Sequence, residues 1–192
     1  MPENMPDQQA ESLPSRRGFL QGLAASALAA GLAGLPALPA EAALPVRQLS
    51  FHHLHTGEKL QKAVYFARGR YVEENLRLIS RLLRDWRTGE VKPVDPKLLD
   101  VLFALQSRLR TSQPFAVVCG YRSPKTNAML RRQGHGVARN SLHLRAMAID
   151  LKLPGRSLKE VRNAAVQAKL GGVGYYPASG FVHVDTGPVR YW

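Results

Sequence analysis

Hydrophobic positions after residue 45 follow the period of strands in some segments and the period of helices in others, which predicts an α+β domain. Residues 49–55 and 63–66, joined by a tight turn, have the pattern of a hairpin. Two helices are predicted next, over 72–86 and from Pro96, where Asp95 can cap the helix and proline fits the first turn. Further strands are predicted at 115–119, 146–153, 173–176 and 181–185, and helices at 125–132 and 158–168. The pattern favours a small antiparallel sheet flanked by helices.

The first forty residues show neither period and resemble a targeting segment. The hexapeptide at 15–20, with its Arg16-Arg17 pair, matches the twin-arginine export signature, and the uncharged run at 18–40 ends near an A-x-A cleavage site at 40–42. We expect a twin-arginine signal peptide over residues 1–42 and one exported domain over 43–192, located in the periplasm. A transmembrane anchor is the alternative, since such a run can span a bilayer with roughly 20 residues.

Export changes how the charge of the chain is interpreted. The formal net charge is +13, and removal of residues 1–42 leaves 25 basic against 10 acidic side chains, a net charge of +15. Such a domain is attracted to anionic polymers of the envelope, or its charges form a solvated face. No nucleic-acid partner is expected for an exported protein, and membrane contact is expected only through the signal segment. Cys119 is the only cysteine, so no internal disulfide can form, and a small buried hydrophobe is predicted there.

Two histidines and an aspartate carry the candidate chemistry. Asp150 follows His143 by seven residues, and His183 lies on the last long predicted strand. Two neighbouring strands could direct Asp150 and His183 towards the same point as His143. Three protein ligands that leave a fourth position for water are typical of hydrolytic zinc sites. The sequence therefore predicts a Zn²⁺ site formed by these three residues.

The segment at 141–150 resembles the S-x-H-x-x-G-x-A-x-D motif of the zinc D-Ala-D-Ala carboxypeptidase and murein endopeptidase superfamily, with Ala146 in place of glycine. A closer resemblance is to its twin-arginine-exported branch of the YcbK type, and it extends from about residue 49 to 192. The segments that carry it are 119–124, 135–141, 171–176 and 181–185. This resemblance implies the zinc fold shared with the hedgehog signalling domain. It also implies a zinc peptidase acting on peptidoglycan stem peptides or cross-links.

The resemblance also implies roles for three residues outside the ligand set. Arg122 matches an arginine that lies beside the metal, where it can hold a substrate carbonyl or carboxylate and stabilise the oxyanion. Its alternative is an ion pair with a structural acid. Ser141 is expected to contact substrate or to fix its loop through a backbone hydrogen bond. His135 is expected to contact substrate or to cap a turn.

The usual general base of the superfamily is missing from this chain. Many relatives carry glutamate three residues before the second zinc histidine, or histidine two before it, and here these positions are Gly180 and Phe181. Asp185 shares a strand face with His183, so it is expected either to take a proton from the zinc water or to orient the His183 ring. The alternative function is a catalytically weak or inactive zinc-containing module that binds peptidoglycan or a protein partner.

Three further histidines, His52, His53 and His55, lie within four residues before the first tight turn. Their number invites a second metal site. They alternate with Phe51 and Leu54 in a predicted strand, which favours a structural role instead.

Overall fold

The structure, a computed structural model, describes residues 45–134 and 136–192. The signal segment predicted at 1–42 lies outside these residues. The strands are β1 (Arg47–His53), β2 (Lys59–Ala67), β3 (Arg70–Tyr71), β4 (Phe115–Cys119), β5 (Ala148–Lys152), β6 (Gly172–Tyr176), β7 (Phe181–Asp185) and β8 (Arg190–Tyr191). The helices are α1 (Glu73–Leu82), α2 (Pro96–Arg108), α3 (Pro124–Arg132) and α4 (Leu158–Ala168).

All the described strands join one sheet in the order β3-β2-β1-β4-β5-β7-β6-β8. The pairs β1–β2, β4–β5, β5–β7 and β6–β7 are antiparallel, whereas β1–β4 and β6–β8 are parallel. The α+β prediction is confirmed, and the antiparallel sheet predicted from the pattern is extended into a wider, mixed one. The edge strands β3 and β8 have only two residues each, which is too short for a periodic pattern.

Most helices begin where the sequence predicts, because their caps are encoded locally. The Asp95 carboxylate accepts a hydrogen bond from Lys97 N at 3.0 Å at the start of α2. Helix α4 begins with a capping box, in which the Ser157 and Glu160 side chains bond each other's backbone N–H groups. Each such cap stabilises a helix by about 1 kcal/mol.

Helix α1 is shorter than predicted and ends at Leu82 rather than near residue 86. The carbonyl of Leu83 accepts a hydrogen bond from Tyr121 N at 2.7 Å, so the end of α1 is joined to the loop after β4. Gly120 permits this close approach, because a Cβ atom there would collide with Leu83 O. The buried Asp85 carboxylate adds a second link by accepting from Ser123 N at 2.8 Å.

Alternation along two central strands separates the core from the opposite face of the sheet. Ile149 and Leu151 of β5 are fully buried in the hydrophobic core. Val182 and Val184 of β7 are buried there too, with at most 1% of their surface exposed. Helices α1, α2 and α4 supply the other half of that core. Residues 150 and 183 therefore direct their side chains to the opposite face. No helix within the described residues is both long enough and apolar enough to cross a membrane.

Candidate metal centre

The sheet register brings the predicted ligands together. Asp150 of β5 pairs with His183 of β7 on one side and with Cys119 of β4 on the other, so the three residues form a row across the sheet. His143 lies in a 3₁₀ turn, Leu142–Arg145, just before β5. Ala146 ends this turn in the left-handed region with φ of 52°, which explains why the superfamily motif has glycine there.

Three ligand atoms converge at this point. His143 Nε2 lies 3.1 Å from His183 Nδ1 and 3.2 Å from Asp150 Oδ1, and His183 Nδ1 lies 2.8 Å from the same oxygen. A tetrahedral zinc ion with bonds of 2.0–2.2 Å would hold such atoms roughly 3.3–3.5 Å apart. The donor set and its spacing therefore fit a zinc ion after an outward shift of a few tenths of an ångström.

The other nitrogen of each imidazole has its own partner. His143 Nδ1 lies 2.6 Å from the carbonyl oxygen of Gly120, to which it donates, and His183 Nε2 lies 2.9 Å from Asp185 Oδ2. Such partners fix which nitrogen is protonated and hold the ring in place. They leave the lone pairs of His143 Nε2 and His183 Nδ1 directed at the convergence point.

The carboxylate of Asp185 is fully buried and engaged on both oxygens. Besides His183, it accepts hydrogen bonds from Gly187 N at 2.8 Å, Gly172 N at 3.1 Å and Arg190 Nη2 at 2.7 Å. Burial raises the pKa of Asp185, but the hydrogen bonds from His183, Arg190 and Gly187 outweigh it and hold the pKa well below its usual range. Asp185 therefore stays ionised against the nitrogen of His183 that faces away from the convergence point.

His143 and Asp150 perturb each other's protonation. Burial lowers the pKa of His143 and raises that of Asp150, but their mutual attraction outweighs burial in both cases. The pKa of His143 is therefore raised and that of Asp150 is lowered. The negative charge of Asp150 therefore favours a cation at this point. A metal ion that binds there would displace the proton of His143, so its binding would weaken as the pH falls.

Arg122 lies beside the candidate ligands and is 8% exposed. Its Nη2 is 3.7 Å from Asp150 Oδ2, and its Nη1 donates weakly to Asn127 Oδ1 at 3.4 Å. Its backbone N–H donates to the carbonyl of His143 at 3.1 Å, which ties the two loops together. Within the described residues, the buried Nε has no hydrogen-bond partner. The Nη atoms of Arg122 thus lie next to the site and make only long contacts, to Asp150, Asn127 and Cys119, while its Nε is enclosed by protein.

The two predicted substrate contacts differ in what the structure says of them. Ser141 Oγ accepts a hydrogen bond from His143 N at 3.4 Å and also lines the cavity over the site. The structure thus shows the loop-fixing contact of Ser141, and substrate contact stays a prediction. His135 lies outside the described residues.

Cys119 is closer to the site than the sequence predicts. The prediction was a small buried hydrophobe, but the side chain is half-buried. Ligand atoms of Cys119, His143 and Asp150 all lie within 4.8 Å of one another, which makes a second possible metal triad. We favour the set containing His183, because its Nδ1 lies within 3.1 Å of the other two ligand atoms.

An open cavity of about 380 Å³ lies over the convergence point. Trp192 forms one wall, with its ring centroid 5.4 Å from that of His183 and its Nε1 donating to Tyr176 Oη at 2.6 Å. Gly174 makes room for this wall, since a Cβ there would lie 2.8 Å from both rings. Phe181 also lines the cavity, and its position two residues before His183 could have predicted this. Trp192 could not be predicted, because its place depends on the pairing of β8.

The described part of this cavity contains no free base. Its carboxylate and imidazole side chains are those of Asp150, His143 and His183. Gly180 occupies a turn with φ of 72°, and the Phe181 ring stacks on Tyr176 at 4.8 Å. Neither position that carries the base in many relatives supplies one here.

Comparison with known proteins places the chain in a family. Residues 41–192 match the family model described as Peptidoglycan L,D-endopeptidase MepK. The protein of that name from Escherichia coli (strain K12) is 39% identical over 182 residues, covering 95% of this chain and 100% of the relative. The probable peptidoglycan L,D-endopeptidase MepK of Haemophilus influenzae is 44% identical over 147 residues, covering 76% of this chain and 78% of the relative.

A solved structure, the L-Ala D-Glu endopeptidase ChiX of Serratia marcescens, matches weakly. It is 23% identical, with a TM-score of 0.32, and the match covers 40% of this chain and 62% of that chain. This likeness is too weak to indicate fold or chemistry. The family is shown by the match to the family model and by the two relatives, each of which is matched over most of its length. The chain therefore belongs to the family described as peptidoglycan L,D-endopeptidase MepK.

Proposed function

We propose that this protein is a zinc-dependent peptidase that hydrolyses a peptide bond in the stem peptides or cross-links of peptidoglycan. The observation that carries the proposal is the convergence of His143 Nε2, Asp150 Oδ1 and His183 Nδ1 within 3.2 Å of one another at the floor of an open cavity. The printed names of the relatives, which are peptidoglycan L,D-endopeptidases, support the substrate class.

Different residues around this centre would bind the metal, stabilise the oxyanion and position the peptide. His143, Asp150 and His183 would hold the ion, and zinc bound there would supply the Lewis acidity that amide hydrolysis requires. Arg122 would hold the substrate carbonyl and stabilise negative charge on its oxygen, since it lines the cavity and its Nη2 lies 3.7 Å from Asp150 Oδ2. The wall formed by Trp192 and Tyr176 would position the peptide and reduce the access of water.

The contacts of Asp185 favour the orienting role over that of general base. Both oxygens are saturated by His183, Arg190 and two backbone N–H groups, and the carboxylate faces the nitrogen of His183 opposite the ligand atom. A general base needs an oxygen within hydrogen-bond reach of the proton it takes. The His183 ring separates the Asp185 carboxylate from the convergence point, so no oxygen of Asp185 reaches a proton of water bound there.

Asp185→Asn is expected to weaken zinc binding by about 10- to 100-fold, because the amide orients His183 poorly and presents N–H groups to donors. Activity should fall at limiting zinc and recover when zinc is in excess. Zinc affinity and turnover are measured on the same preparation, with Asp95→Asn as the control, since asparagine caps a helix as well as aspartate does. A loss of about 10² to 10⁴ in turnover at full zinc occupancy would instead make Asp185 the base.

One observation favours a second candidate function. The described part of the cavity holds no carboxylate or imidazole other than the candidate ligands, so nothing there is free to take a proton. A module that binds peptidoglycan or a protein partner without cutting it needs no such group. This candidate predicts retention of peptidoglycan by the protein with no release of fragments.

Cleavage of cross-linked peptidoglycan tests the proposed function. Purified protein is stripped of metal, reloaded with zinc, and incubated with cross-linked peptidoglycan, and new amino termini are counted. New termini that appear only with zinc support the proposal, and mass analysis of the released muropeptides identifies the bond. Binding with no new termini in either state would favour the module that does not cut.

Export by the twin-arginine pathway to the periplasm is part of the same proposal, supported by the motif at residues 15–20. Replacing both arginines, Arg16→Lys with Arg17→Lys, is expected to leave an unprocessed precursor in the cytoplasm, because the pathway reads this pair. Cell fractionation followed by immunoblotting checks the result. Processed protein in the periplasm of the double variant would show that another route is used.

A further inference from the structure

A second cavity, of about 480 Å³, adjoins the candidate metal centre. It shares five lining residues with the first cavity, which lies over the convergence point: Arg122, Val137, Asp150, Tyr176 and Phe181. Space is therefore available on two sides of Arg122 and Asp150. An enzyme that cuts within a chain, rather than at its end, must hold peptide on both sides of the scissile bond.

Two stacked rings, with Arg87 over one of them, line part of the second cavity. The rings of His55 and Trp86 are parallel within 15°, with their centroids 4.2 Å apart. The guanidinium carbon of Arg87 lies 4.1 Å from the Trp86 ring centroid, within the range of a cation–π contact. Trp86 Nε1 is buried without a hydrogen-bond partner in the described residues, so stacking is the contact that positions this ring.

Arg87 supplies a positive charge to this cavity that nothing nearby neutralises. Its side chain is exposed, and no carboxylate among the described residues forms an ion pair with it. The neighbouring imidazole of His55 adds no charge. Its pKa is lowered mainly by burial and also by the positive charge of Arg87. Asp150 is the single acidic residue among the described ones that line the cavity, and it faces the candidate metal centre. The free charge therefore favours an anionic ligand.

Asp85 fixes this charge relative to the metal centre. Its carboxylate accepts from Arg87 N at 2.9 Å and from Ser123 N at 2.8 Å, which joins the turn of the stack to the loop that carries Arg122. Burial raises the pKa of Asp85, but hydrogen bonds from Thr126 and Ser123 outweigh it and lower the pKa. Asp85 thus stays ionised, and its carboxylate joins the backbone segments that carry Arg87 and Arg122.

We propose that the second cavity binds the second peptide strand of a cross-linked substrate, and that Arg87 pairs with a free carboxylate of that strand. This inference rests on the proposed function. Stem peptides of peptidoglycan carry free carboxyl groups, and a guanidinium can bind a carboxylate through two parallel hydrogen bonds. An apolar part of the cavity lining, formed by Val118, Met129 and Leu130, suits the aliphatic part of the peptide.

The test compares two cross-linked dimers of stem peptides, one with free carboxyl groups and one with these groups amidated. Arg87→Ala is expected to raise KM for the free dimer by about 10- to 100-fold, the worth of a charge-assisted hydrogen bond, with kcat nearly unchanged. KM for the amidated dimer should not respond to this substitution. Arg77→Ala is the matched control, since Arg77 is exposed on α1 and lines neither cavity. Equal effects on both dimers, or equal effects of the two substitutions, would overturn the proposal.

A binding measurement separates this proposal from the proposed function. Calorimetry with a dimer whose cross-link amide is replaced by a ketomethylene group needs no cleavage. Weaker binding of the free-carboxylate form by Arg87→Ala, but not by Arg77→Ala, supports the subsite even if the protein cuts neither dimer. Unchanged affinity in Arg87→Ala would overturn the subsite even if the protein is an active peptidase.

Discussion

Replacing any one of His143, Asp150 or His183 by alanine is expected to remove bound zinc and, with it, all measurable hydrolysis. Each side chain supplies one of three converging atoms, and the remaining pair cannot complete a zinc site. Changes to groups that merely support a ligand cost about 10- to 100-fold in metal affinity, so loss of a ligand should cost more than about 100-fold. Metal analysis after gel filtration, together with activity on the same fraction, checks the result.

The matched control is His52→Ala, which removes a histidine on β1 that lines neither cavity at the metal centre. This variant should keep both zinc and activity. A thermal unfolding curve of each variant separates loss of the ion from loss of the fold. Near-stoichiometric zinc in all three ligand variants would exclude the assignment.

Arg122→Ala is expected to lower kcat by about 10² to 10³ while zinc stays bound, as removal of one oxyanion-stabilising donor does elsewhere. The guanidinium makes long contacts to Asp150, Asn127 and Cys119 through its Nη atoms. It is therefore held in place with donor capacity to spare. Steady-state kinetics on a soluble cross-linked dimer, with zinc content measured in parallel, checks the prediction.

Arg122→Lys refines this test. Lysine keeps the positive charge but loses the planar set of donors, so it should restore part of the lost rate. Loss of zinc from either variant would give Arg122 a role in holding Asp150. A rate unaffected by the alanine substitution would remove Arg122 from the reaction.

Much of the fold follows from local signals in the sequence. Strands β4 and β7 and helix α4 have the predicted bounds, because each combines a clear hydrophobic period with a cap or a turn at its ends. The parallel pairing of β1 with β4 could not be predicted, since the two strands are separated by two strands and two helices and no local signal sets their order. The early end of α1 also depends on tertiary contacts, namely the bond from Tyr121 N to Leu83 O.

The candidate site also has features that the sequence predicts and features that depend on tertiary structure. The three ligand residues could be named from spacing and strand alternation, which place Asp150 and His183 on one face. Their direct pairing across β5 and β7 is a property of the register. The same register brings Cys119 next to Asp150, a neighbour that a hydrophobic strand gave no reason to expect. Trp86 and Arg87 reach the site through a turn after α1, where the sequence pattern extends the helix to residue 86.

X-ray absorption at the zinc edge of the metal-loaded protein tests the central claim most directly. The account predicts two imidazole nitrogens and one carboxylate oxygen at about 2.0–2.2 Å, with no sulfur neighbour, and a spectrum unchanged by Cys119→Ser. A sulfur scatterer at about 2.3 Å that disappears in Cys119→Ser would contradict it. That result would move the ion to the site of Cys119, His143 and Asp150 and leave His183 outside the ligand set.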